Sequence, residues 1–69
     1  MMIPEEIFGI NAGKVWSILK DSGPMNVQKI ASKACIDEKS TYGALGWLSR
    51  EGKIRIVESK NAPMFALTE

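Results

Sequence analysis

The chain has 69 residues, with nine Lys and Arg against eight Asp and Glu, a single Cys and no His. One thiol excludes an intrachain disulfide, and without histidine neither a Cys/His zinc site nor a serine–histidine or cysteine–histidine catalytic pair can be built within one chain. Hydrophobic residues at 45% and charged residues at 25% describe a folded domain, while a net charge of +1 predicts no strong whole-molecule attraction to nucleic acid or membrane.

These exclusions leave a small binding module, expected as one domain over residues 1–69, not an enzyme, and in need of no cofactor or metal. No apolar run approaches the roughly 18 to 20 residues that cross a bilayer, and no membrane partner is expected. Glu5 and Glu6 stand where a signal peptide carries bases, so a cytoplasmic location is expected, with Cys35 at home in a reducing compartment.

The first segment, Ile3 to Asp21, opens on Pro4, Glu5 and Glu6, which suit the positive end of a helix. Gly9 and Gly13 weaken it, so the part before Asn11 is expected to be a separate turn, with Asn11 as N-cap of the firm helix. Phe8, Ala12, Val15, Ile18 and Leu19 share one face, and Asp21-Ser22-Gly23-Pro24 ends the element. Asn26 caps a second helix, in which Val27, Ile30, Ala31 and Ala34 fall at i, i+3, i+4 and i+7. Only Cys35 and Ile36 separate it from the next cap, Asp37, and two helices so closely joined cross steeply as a helix-turn-helix. The third helix runs from Glu38 to about Glu51 with Thr41, Ala44, Leu45 and Leu48 on its buried stripe, and stops at Gly52. The period then changes to two. Ile54 and Ile56, then Phe65 and Leu67, alternate with outward residues in two strands around a turn at Ser59-Lys60-Asn61-Ala62-Pro63. Met25-Asn26 is expected to add a short third strand at the edge.

This order predicts an α+β winged helix-turn-helix: three helices with a small antiparallel β-hairpin wing. Asn11-Ala12-Gly13-Lys14-Val15-Trp16 and Ala44-Leu45-Gly46-Trp47-Leu48-Ser49-Arg50-Glu51-Gly52-Lys53-Ile54 resemble the two signature stretches of a family of very small, single-domain winged helix-turn-helix proteins of archaea and bacteria with no settled function. The resemblance covers nearly the whole chain and implies DNA binding by analogy with larger winged-helix regulators. Where the helix-turn-helix pattern usually carries Gly in its turn this chain has Cys35, expected to avoid positive φ and to be buried. The expected core is Phe8, Val15, Ile18, Leu19, Val27, Ile30, Ala31, Ile36, Leu45, Leu48, Ile54, Ile56, Phe65 and Leu67.

A helix-turn-helix lays its second helix in the major groove, early residues toward the base edges. Here those residues are Glu38, Lys39, Ser40, Tyr42 and Gly43. Lys39 reaches phosphate or guanine, Ser40 and Tyr42 donate to phosphate, and Glu38 opposes phosphate unless it accepts from a cytosine amino group. On the second helix Lys29 adds a cation; in the wing Arg55, Lys60 and Asn61 suit backbone or minor-groove contact. Residues 25–60 carry seven basic against four acidic side chains, so the basic charge gathers on the helix-turn-helix and wing. Double-stranded DNA is the expected partner, in transcriptional regulation or an accessory role. The bland reading makes each of these lysines an ordinary solvated side chain.

Small residues beside a tryptophan occur on two faces: Gly9, Gly13 and Trp16 on the first helix, and Gly43, Gly46 and Trp47 on the third. Such faces suggest protein contacts; the alternative is that both tryptophans fold back over the core. A homodimer through Gly9, Gly13 and Trp16 is expected, presenting two third helices to one palindromic site. Dimerisation through the third helix would obstruct the groove and favour a protein-interaction module without DNA binding.

Overall fold

A computed structural model describes residues 3–60 and 62–68, Glu5 by its backbone alone. Pro4 opens a continuous helix whose first turn, Glu5–Gly9, is π-helical and runs directly into α1, Ile10–Ser22. Asn11 is therefore not a cap but the second residue of α1. Gly9 takes helical angles, φ −65° and ψ −42°, so the expected break before Asn11 does not occur. Gly23 ends α1 at φ 79° and ψ −165°, a region open essentially to glycine alone, and its N–H donates to the Leu19 carbonyl at 2.9 Å.

α2 spans Val27–Ala34 and α3 spans Glu38–Arg50. Both N-caps are side-chain caps, as the sequence predicts. Asn26 accepts from the Lys29 N–H at 2.9 Å and Asp37 from the Ser40 N–H at 2.8 Å. Between them Cys35 departs from expectation twice: it adopts φ 59° and ψ 41°, and it is exposed. The cause is the Schellman closure of α2, in which the Cys35 N–H donates to Ser32 and the Ile36 N–H to Ala31. That closure needs one left-handed residue, which turns the thiol outward. Gly52 closes α3 in the same way, its N–H donating to Ser49 and that of Lys53 to Leu48, at φ 72°. Holding an L-residue left-handed costs roughly 1–2 kcal/mol, partly offset by the greater freedom glycine loses on folding. Cys35→Gly is accordingly expected to raise the unfolding free energy by about 0.5–1 kcal/mol. A urea titration that shows the variant weaker than wild type would mean that the Cys35 side chain contributes packing.

β1, Ile54–Val57, pairs antiparallel with β2, Met64–Leu67, setting Ile54 opposite Leu67 and Ile56 opposite Phe65. The expected edge strand reduces to a bridge at Met25, which exchanges two backbone hydrogen bonds with Phe65 at 3.1 and 2.7 Å. Thr68 ties the open end of the hairpin down through its hydroxyl to the Gly52 carbonyl at 3.1 Å.

The core joins Ala12, Val15 and Leu19 of α1 to Ile30 of α2, to Ala44, Leu45 and Leu48 of α3, and to Met25, Ile54 and Phe65. Ala31 is buried beside this cluster. Ile18, Val27, Ile36 and Leu67, expected inside, are half-buried at its margin. Two expected core residues lie outside. Ile56 is 64% exposed in the lining of the open hollow between α3 and β1, although Phe65 opposite it on β2 is buried. Phe8 packs over the outside of α3 instead of entering the interior. Conversely Ala66, read as outward by strand alternation, is buried because α1 packs against β2 and covers that face as well. Thr41 is fully buried with its polar atom satisfied, the hydroxyl donating to the Asp37 carbonyl at 2.8 Å.

Candidate nucleic-acid interface

The Asp37 cap starts α3 at the turn, and the core stripe Thr41, Ala44, Leu45, Leu48 decides which side of α3 remains open. Steps of 100° put Lys39, Gly46 and Arg50 opposite that stripe, and all three are exposed. Tyr42 is 54% exposed on the flank toward the hairpin. Between that flank and β1 lies a hollow lined by Tyr42, Leu45, Gly46, Ser49, Ile54, Arg55, Ile56 and Phe65. It is shallow and largely apolar at its floor, with Arg55 at its edge. Gly46 has no heavy atom within 4 Å of where a Cβ would stand, so the α3 backbone is bare along this groove.

The candidate residues divide as follows. Lys39, Tyr42 and Arg55 lie on or beside the open face of α3 and its hollow. Lys60 is exposed at the wing tip and Lys29 on α2, where its backbone N–H is already used by the Asn26 cap. The backbone N–H of Ser40 is likewise engaged by Asp37; its side chain is half-buried. Hydrogen bonding from Ser40, together with the nearby Lys39 charge, holds the Asp37 carboxyl below its usual range, which keeps the cap ionised at the head of α3. Asn61 lies outside the described residues. Gly43 is not open: a Cβ there would come within 2.9 Å of the Phe8 ring, so the residue read as an exposed glycine is covered by the π-helical turn. Phe8 in turn stacks on Trp47 with ring centroids 6.4 Å apart. The face expected to offer Gly43, Gly46 and Trp47 together is thus already occupied at two of its three positions.

Ser49 and Ile56 belong to the hollow but were not among the sequence candidates, whereas Gly46, read from the sequence as an outward glycine, lines it. Gly46 carries a visible signal, a costly glycine in mid-helix. Ile56 does not, since strand alternation places it in the core. Lys53, at the base of the wing, pairs with Glu51 at 3.7 Å, which weakens it as a free cation for a ligand.

On the other side of the molecule Gly9, Gly13 and Trp16 line one groove, with Trp47 facing them. Gly9, Ala12, Gly13 and Trp16 form one side of a groove that Trp47, Leu48, Glu51 and Lys53 close on the other. Both tryptophans are half-buried at the edge of the core, and Lys20 sits over the Trp16 ring at 4.8 Å from its centroid. Among the described residues no group of three or more acidic, Cys or His side chains could hold a metal ion, and no helix is long and apolar enough to cross a membrane.

Comparison with solved structures agrees with this arrangement. A protein of Bacteroides thetaiotaomicron, BT2368, solved by NMR, superposes with a TM-score of 0.86 at 32% identity, over 94% of this chain and 79% of that one. The Zalpha domain of Carassius auratus PKZ, solved in complex with Z-DNA, superposes at 0.77 with 18% identity, over 87% of this chain and 95% of that one. NMB1585, a MarR family regulator of Neisseria meningitidis, gives 0.77 at 22% identity, over 86% of this chain but only 44% of the regulator. At such identities the last two speak for the fold alone, a winged helix. No curated protein matches the sequence. The family model for the winged helix-turn-helix domain DUF2582 matches residues 2–67, and the chain belongs to that family.

Proposed function

We propose that the protein binds double-stranded DNA through α3 and the wing, as a transcriptional regulator or accessory DNA-binding factor in the cytoplasm. The observation that supports this most directly is the joining of the open side of α3 to the wing in one concave face lined by Tyr42, Ser49 and Arg55, with a bare backbone at Gly46 and with Lys39 and Arg50 exposed on α3 and Lys60 on the wing. Cations near the rim meet phosphates; Tyr42 and Ser49 supply hydroxyls to phosphate or base edges; the missing side chain at Gly46 lets the duplex backbone come close. Glu38 and Glu58 stand exposed on the same elements and limit affinity. The reading includes a symmetric pair of chains joined through the first helix.

Titration of a labelled duplex at two salt concentrations tests the reading. If Lys29, Lys39, Arg50, Arg55 and Lys60 each neutralise one phosphate, affinity falls by roughly 500-fold between about 50 and 200 mM salt. Tyr42→Ala should weaken binding while leaving stability within about 0.5 kcal/mol of wild type, because the ring is largely exposed. Absence of binding at low salt would overturn the proposal. It would favour the second reading, a protein-interaction module, for which the groove between Trp16 and Trp47 is the specific support.

A further inference from the structure

The first helix exposes an apolar strip that the core does not use. Ile7 and Ile10 of the first helix, and Ile3 just before it, are all exposed, Ile10 to 59%. They make up three of the six large hydrophobic residues exposed among the described residues, and they lie on one continuous stretch. Charge flanks Ile10 symmetrically. Glu6 stands four residues before Ile10 and Lys14 four residues after it; both are exposed, and neither makes an ion pair among the described residues. They are eight positions apart, roughly 12 Å along a helix, so they cannot meet within one chain. Gly13 beside Ile10 has open space where a Cβ would stand.

From this pattern we infer that the occupant of the strip is a second copy of the same chain, in an antiparallel helix pair with Ile10 on the twofold axis. That register sets Glu6 of each copy opposite Lys14 of the other, so one sequence element supplies both halves of two ion pairs, as an isologous interface requires. Gly13 makes room for the approach of Ile7 on the facing helix. The expected helix-one dimer is retained with its anchor moved. Trp16 already carries Lys20 and lies against the core edge, leaving Ile10 as the side chain that is free. A single helix face is smaller than a standard interface, so the dimer is weak and concentration-dependent.

The geometry has a consequence for DNA, which rests on the proposal that α3 and the wing bind it. α1 backs α3: Ala12, Val15 and Leu19 share the core with Ala44, Leu45 and Leu48. Ile10 and Lys14 point away from that core, and so do Lys39, Gly46 and Arg50 on the far side of α3. Two copies joined through Ile10 therefore present their α3 faces on opposite sides of the pair. Such a dimer bridges two duplexes. It does not set two recognition helices into successive grooves of one palindromic site, as the sequence alone led us to expect.

Sedimentation of the full chain up to about 1 mM reads the dimer without DNA, in the range where a weak interface is populated. Wild type is expected to dimerise and Ile10→Asp to stay monomeric with unchanged helical circular dichroism. Glu6→Lys and Lys14→Glu should each weaken the dimer about tenfold, and the double exchange should restore it. In a Cys35→Ser background, Ile10→Cys should cross-link on oxidation. A wild type monomeric throughout, or a double exchange no better than the single variants, would overturn the interface. Capture of free duplex by bead-bound duplex reads bridging. Wild type should capture it and Ile10→Asp should not, while both still bind one duplex. A dimer that binds a single duplex and never bridges would overturn the opposed geometry. A dimer that binds no duplex at all would refute the DNA reading and leave the interface standing.

Discussion

Ile30→Ala is expected to lower the unfolding free energy by about 2–5 kcal/mol, the cost of removing a fully packed aliphatic side chain and leaving a cavity. Ile30 is 0% exposed and lies in the cluster that unites α2 with α1 and α3, so it also sets the crossing angle on which the helix-turn-helix depends. At roughly 0.05–0.15 kcal/mol per residue, a domain of this size holds only about 3–10 kcal/mol in total, so the variant should be largely unfolded near 37 °C. Ile56→Ala is the matched control. The two isoleucines read alike in sequence, yet Ile56 is 64% exposed on the wing and its loss should cost less than about 0.5 kcal/mol. Urea midpoints for the pair decide the matter. Similar losses in both would mean that the wing is packed against something in solution.

Lys39→Glu combined with Arg55→Glu should reduce duplex affinity about 100-fold or more at moderate salt, since two phosphate contacts are lost and two repulsions take their place. The two side chains sit on different elements: Arg55 on β1 lines the hollow with Tyr42 and Gly46, and Lys39 is exposed on α3 three residues before Tyr42. Both are exposed, so thermal midpoints should scarcely move. Lys20→Glu changes the same formal charge at Trp16, in a hollow that Arg55 also lines but α3 does not, so it is the control for Lys39 alone and should have a much smaller effect than the reversal there. Equal losses for a reversal at Lys20 and at Lys39 would point to unspecific attraction by net charge and away from a defined face. The slope of affinity against salt provides a second reading of the same question, and it should flatten in the double variant.

The three helices, their order and both side-chain caps were legible in the sequence because each depends on local chemistry. Asn26 and Asp37 sit three residues before the N–H groups they accept from, Gly23 and Gly52 occupy the positive-φ closures, and apolar residues recur at helical spacing. The change of period after Gly52 likewise announced the wing. Tertiary structure decided what no local rule encodes. Cys35 is left-handed because the closure of α2 against the turn leaves no alternative, and Phe8 covers Gly43 because the first turn of the helix is π-helical. Ile56 is bare because it lines the open hollow between α3 and β1, and Ala66 is buried because α1 packs against β2. The candidate site divides along the same line. Lys39, Tyr42 and Arg55 could be named from position in a helix-turn-helix, but that Gly46 and Ile56 share a hollow with them depends on how α3 meets β1. Periodicity tells which residues face the same way along one element; only the packing of elements against each other determines what, if anything, they face.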